Sequence, residues 1–110
     1  MNNKRRKQIR IQILELSMLN YTNEEDLMDE LETIKSELEW IRDEEQDAFD
    51  NIPENLQCSY NASLMEDNIE CLDNAISVLE EVIDQIGDEL NITDLCDSIK
   101  EALNILEGIH

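Results

Sequence analysis

A chain of 110 residues with two glycines, one proline and one phenylalanine is the size of one domain. It holds too few turn-forming residues for a β-rich fold. Its 28 acidic and 8 basic side chains leave a net charge of −20, which argues against a body that binds nucleic acid or anionic membrane and favours basic partners.

The charge is divided unevenly. Lys4, Arg5, Arg6, Lys7 and Arg10 form a basic arm at 1–10, and the rest of the chain holds only Lys35, Arg42 and Lys100 against all the acids. The whole of 1–110 reads as a single helical domain behind this arm. The apolar residues are mostly Leu and Ile, which suits helices. No apolar run approaches the ~18 residues of a membrane span, and the basic start lacks a signal peptide's apolar stretch. Cys58, Cys71 and Cys96 are odd in number and widely spaced, as expected of free thiols in a reducing cytoplasm.

The first predicted helix covers 4–19. Ile9, Ile13 and Leu16 have helical spacing, and Ile11, Leu14 and Met18 widen the apolar face. Cationic side chains at a helix start oppose its dipole, so the arm needs a partner: the protein's own acidic surface, a nucleic-acid backbone or an acidic protein. The acidic body disfavours nucleic acid, so the internal partner ranks first. Thr22 and Glu25 then form a capping box for a new helix, although one helix bending through this point is an alternative.

The second helix covers about 23–51. Leu27, Leu31, Ile34, Leu38, Ile41, Glu45, Ala48 and Ile52 alternate four and three apart, a heptad seam with one acid in it. Either the seam frays near its end and Glu45 reaches solvent, which is the first expectation, or Glu45 is buried against an arginine, with Arg42 nearest in sequence. Pro53 closes the helix. Phe49, with Ile52 and Leu56, is expected to pin the turn that follows.

The third helix starts near 62 and runs to about 86, with a seam of Met65, Ile69, Leu72, Ile76, Leu79, Ile83, Ile86 and Leu90. Gly87 ends or loosens it. A fourth, capped by Asn91 or Thr93, shows Leu95, Ile99, Ala102 and Leu106 on one face and stops at Gly108. Glycosylation sequons at Asn20, Asn61 and Asn91 each fall at a predicted helix start, where capping explains them. The expected fold is all-α: an antiparallel hairpin of the helices at about 23–51 and 62–86, with shorter N- and C-terminal helices packed as a bundle or coiled coil. Ile69, Ile76 and Ile83 share one heptad position, a pattern that suits parallel two-stranded coils, so a homodimer stands beside a monomeric bundle.

Catalysis and metal binding find little support. The only histidine is His110, which leaves no Glu-x-x-His di-metal motif and no base titrating near neutrality. The acidic stretch 43–54 lacks the glycine of a calcium loop. No cofactor, metal or catalytic residue is expected. What stands out is acid density: 13 acids over residues 24–50, or one per ~3 Å of helix, near the ~3.4 Å phosphate spacing of one DNA strand. The third helix is expected to set a second stripe beside it, Glu66, Asp67, Glu70, Asp73, Glu80, Glu81 and Asp84. The expected partner-binding surface is Glu37, Asp43, Glu44, Asp47, Asp50 and Glu54.

The run Glu44, Glu45, Gln46, Ala48, Phe49, Asp50, Asn51, Pro53, Glu54, Leu56 and Gln57 resembles the E-E-Q-x-A-[FY]-D-N-x-P-E-x-L-Q core of a family of small acidic helical proteins from bacterial viruses and prophages. That family has no assigned activity, so the resemblance implies a viral source more than a mechanism. With the charge, it suggests a non-enzymatic inhibitor that mimics nucleic acid and blocks a host defence enzyme, as anti-CRISPR and anti-restriction proteins do. The partner would be a host protein with a basic nucleic-acid-binding surface, with no direct binding of nucleic acid or membrane. The alternative is a coiled-coil assembly protein acting through its heptad seams, Ile76 and Leu79 among them.

Overall fold

The computed structural model describes residues 3–19, 24–56, 59–86 and 92–109. Four α-helices follow in order, α1 (Asn3–Ser17), α2 (Glu24–Asp50), α3 (Tyr60–Ile86) and α4 (Ile92–Glu107), with a 3-10 turn at Glu54–Leu56. No strand occurs among the described residues. The sequons at Asn20 and Asn91, the capping box at Thr22, and Gly87, Leu90, Cys58 and His110 lie outside them.

Two ion pairs report the register of the long hairpin. Arg42 Nη1 lies 2.8 Å from Asp73 Oδ1, and Lys35 Nζ lies 3.3 Å from Glu80 Oε1. Lys35 precedes Arg42 by seven residues while Glu80 follows Asp73 by seven, so α2 and α3 run antiparallel with their turns matched. On α2 the expected seam is buried throughout its first five positions, Leu27, Leu31, Ile34, Leu38 and Ile41. Burying each such side chain contributes about 1.5–3 kcal/mol of transfer free energy.

On α3 the core face is wider than one heptad seam. Leu72, Ile76, Leu79 and Ile86 are buried as expected, but Asn68, Ala75 and Val82, themselves seven apart, are buried too. At Ala75 and Val82 the cause is that α3 packs on α4 as well as on α2, so it needs two adjoining stripes there. On α4, Leu95, Ile99, Ala102 and Leu106 form the buried face.

The first helix is separate from α2, as first expected, but differs in the face it buries. It ends at Ser17, whose hydroxyl donates to the Leu14 carbonyl at 2.7 Å. It then runs antiparallel to α2, placing Leu14 and Met18 beside Asp29 and Thr33, and Arg5 beside Glu45. Its other long neighbour is α4, which completes an up-down-up-down bundle. Its buried face is Ile9, Gln12, Leu16 and Leu19, whereas Ile11, Leu14 and Met18 are exposed and Ile13 is half-buried. Together with Arg5, the inward positions repeat at four, three, four and three, matching the α2 seam they pack against. The opposite face has no helix to cover it.

Helix lengths decide the shape. The helices α1 and α4 have 15 and 16 residues, against 27 each for α2 and α3. Near its start α1 meets α2 at Glu45, and Leu106 and Ile109, at the end of α4, sit beside Ile9 and Ile13. Both short helices therefore stop at the level of Glu45. Beyond it α2 and α3 continue alone as a two-helix stem, in a molecule 51 Å long and 20 by 18 Å across.

The tip of the stem corrects two further expectations. Leu56 is exposed and does not pin the turn, while Phe49 and Ile52 are half-buried and Ala62 is fully buried. The small Ala62 side chain lets the two backbones approach where only two helices remain. The helix α3 begins at Tyr60, two residues before its expected start, because Ser59 is the cap. Its hydroxyl accepts from the Ala62 amide at 3.2 Å, and its carbonyl accepts the Ser63 amide at 3.0 Å. Asn61 lies inside the first turn and caps nothing.

Candidate protein-binding surface

Glu45 marks the boundary between bundle and stem. It is fully buried, so the seam does not fray there, and its partner is Arg5, whose Nε lies 3.3 Å from Glu45 Oε2. Arg42, the nearest arginine in sequence, points elsewhere. It donates to Asp73 at 2.8 Å and to Asp43 at 3.1–3.2 Å. The Asp73 contact is the main reason that its guanidinium pKa is raised, with Asp43 adding to it against the effect of burial. An unpaired carboxylate buried at the Glu45 position would be strongly disfavoured. The basic arm therefore has a structural task, which explains why cations occupy a helix start that the dipole disfavours.

The rest of the arm divides by face. Lys4 Nζ sits 5.9 Å from the centre of the half-exposed Trp40 ring, within cation–π range. Arg6 and Arg10 line a cleft between α1 and α4 with Ile9, Ile13, Leu106, Glu107 and Ile109. Lys7 is exposed. Thus Arg5 and Lys4 turn onto α2, and the remaining cations face α4 or solvent.

The acids expected to bind a partner are gathered unequally. Asp47, Asp50 and Glu54 are exposed on the stem, with Asp43 and Glu44 at its base, while Glu37 lies two turns further down against the bundle. Asp43 is held by Arg42. The hairpin register brings up Glu66, Asp67 and Glu70 from α3, exposed beside the α2 acids. No basic residue occurs between Arg42 and Lys100. Among the described residues, Asp47, Asp50, Glu54, Glu66, Asp67 and Glu70 make no ion pair. By contrast, the acids lower on the hairpin are partly neutralised, since Lys35 pairs with Glu39 and Glu80.

Glu66, Asp67 and Glu70, from the stripe expected on α3, join this surface through the pairing register of α3 on α2. Cys71 lies on the same part of α3, half-buried, and burial foremost, then the charges of Glu70 and Asp67, push its thiol pKa up. No group of three or more His, Cys, Asp or Glu among the described residues is arranged to hold a metal ion, and no helix among them is long and apolar enough to cross a membrane. Comparisons with protein-family models, curated proteins and solved structures find no match to this chain. The surface must be read from its own chemistry.

Proposed function

We propose that this is a non-enzymatic binding protein whose acidic stem enters the basic nucleic-acid channel of another protein and competes with its ligand. The observation that carries this reading is the stem itself, two helices wide and bearing acids without basic partners. Leaving aside the acids held by Arg42 or Arg5, the stem presents Glu44, Asp47, Asp50, Glu54, Glu66, Asp67 and Glu70. These seven charges fall along about 15 Å of helix axis, roughly one per 2 Å, between the ~3.4 Å spacing of one DNA strand and the ~1.7 Å of a duplex.

Such a spacing is costly to fold against, because like charges repel across the hairpin. A stem that only needed solubility would do with far less. Small domains are soluble with a net charge of about 2–8 in magnitude. The bundle behind it, locked to the stem by Arg5 and Glu45, holds the charges in a fixed array. A preorganised array binds a basic groove with little loss of side-chain or backbone freedom. An inhibitor of a nucleic-acid-binding defence enzyme in a bacterial host, of the anti-restriction or anti-CRISPR kind, is the role that best uses these features together with the family resemblance.

The test is capture from a bacterial lysate at low and high salt, followed by competition with DNA. The reading requires that the retained proteins have basic nucleic-acid-binding surfaces, that DNA displaces them, and that salt weakens their retention steeply. Retention that ignores both salt and DNA would remove its basis.

A further inference from the structure

The outward face of α1 is the longest apolar stripe left uncovered among the described residues. Ile11, Leu14 and Met18 are 53%, 62% and 75% exposed. Their spacing of three and four places them in one row, on the side of α1 away from Ile9, Gln12 and Leu16. Continued toward the helix start, the same row holds Lys7, which is exposed, and then Lys4, whose ammonium rests over Trp40 of α2. At its other end a groove of about 440 Å³ lies between α1 and α2, lined by Leu14, Glu15, Met18, Asp29, Glu30 and Thr33 among others. The surface thus reads basic, apolar, acidic along one line.

That order is self-complementary. We propose that this face binds a second copy of the chain, α1 against α1 in antiparallel orientation. Two-fold pairing centred on Leu14 sets Leu14 on its own copy and Ile11 against Met18 of the other chain. It carries Lys7 past the partner's Met18 toward the acid at Asp29. Both ends are satisfied at once, as an isologous interface requires. A parallel pairing would instead set Lys4 and Lys7 against their own copies. The isoleucines of α3 are not available for a seam between chains, since Ile76 is buried and Ile69 and Ile83 are half-buried within one chain.

The proposal stands apart from the decoy reading. The stems project from opposite ends of such a dimer and remain open, so failure of either idea leaves the other in place. Because a single helix face is a small interface, the dimer is expected to dissociate in the micromolar range.

Sedimentation of the full chain from about 5 to 300 µM tests this, a range that spans weak specific association. The expected result is a monomer–dimer equilibrium that Leu14→Glu abolishes without moving the thermal midpoint, since Leu14 is mostly exposed. Lys7→Glu should raise the dissociation constant about tenfold or more by setting like charges together. Adding Asp29→Lys to Lys7→Glu in the same chain should restore it to within a few-fold, because each copy then supplies both reversed charges. A wild-type chain that stays monomeric throughout this range would overturn the proposal. So would a dimer whose dissociation constant is unchanged in the folded Leu14→Glu variant.

Discussion

Replacing Arg5 with methionine isolates the charge that holds Glu45 in the core. Methionine keeps the aliphatic part of the side chain and its packing, so the main loss is the 3.3 Å contact to a fully buried carboxylate. Removing one member of a buried ion pair costs about 3–5 kcal/mol. Arg5 retains 13% exposure, so water relieves part of the effect and the lower end, about 3 kcal/mol, is expected. Against a total stability of about 5–15 kcal/mol for a domain of this kind, that is a large share. At roughly 4 °C per kcal/mol, the thermal midpoint should fall by about 12 °C. Glu45→Leu alone should also destabilise the protein, because it leaves the guanidinium facing an apolar site. The double replacement Arg5→Met with Glu45→Leu removes both charges and should lie within about 1 kcal/mol of wild type, or above it. The cycle is read by urea unfolding, with far-UV circular dichroism for the helices and Trp40, the only tryptophan, for the docking of α1. An Arg5→Met cost below about 1 kcal/mol, or single costs that simply add in the double variant, would refute the reasoning.

Other outcomes follow from the same structure. Ser59→Ala removes the acceptor for the Ala62 amide and should cost about 1 kcal/mol in urea unfolding, with Ser59→Gly costing less. The Cys71 thiol pKa is raised in the folded state, so its thiolate is disfavoured and alkylation near pH 8, followed by mass spectrometry, should be slower than in urea. Because the folded value lies above the unfolded one, the associated stability is complete at lower pH and lost as pH rises through the folded value. Neutralising the stem with Asp47→Asn, Asp50→Asn, Glu66→Gln and Asp67→Asn should leave the helix content unchanged. The thermal midpoint should rise at low salt, because the substitutions relieve repulsion across the hairpin.

The hairpin is legible in the chain because Leu and Ile recur at four and three from Leu27 to Ile41 and from Leu72 to Ile86. On α2 that row is buried between α3 and α1. Periodicity is incomplete where a helix buries a second row or where a competing row exists. The second stripe of α3, at Asn68, Ala75 and Val82, begins with a polar and a small residue, so only Val82 carries a strong hydropathy signal. On α1 two rows each hold three large apolar residues, and Ile9, Leu16 and Leu19 are buried with Arg5 and Gln12 while Ile11, Leu14 and Met18 stay exposed. The buried row matches the α2 seam in register and brings Arg5 to Glu45. No local pattern could pair those two residues, which are forty positions apart. The acidic stem is more legible, because the hairpin expected from the two seams already sets Glu66, Asp67 and Glu70 of α3 beside Asp47 and Asp50 of α2, and the register fixes which of them share the tip. Glu37, grouped with the others by sequence, lies two turns away because α2 is long.

The central claim is that the stem acts through its charge on a nucleic-acid-binding partner. The most direct measurement is quantitative mass spectrometry of lysate proteins retained by the wild-type chain and by the four-fold neutralised stem variant, each before and after elution with DNA. The account predicts that wild type retains proteins with basic nucleic-acid-binding surfaces, that DNA elutes them, and that the folded variant loses them. A retained set that is the same for both chains and indifferent to DNA would contradict it.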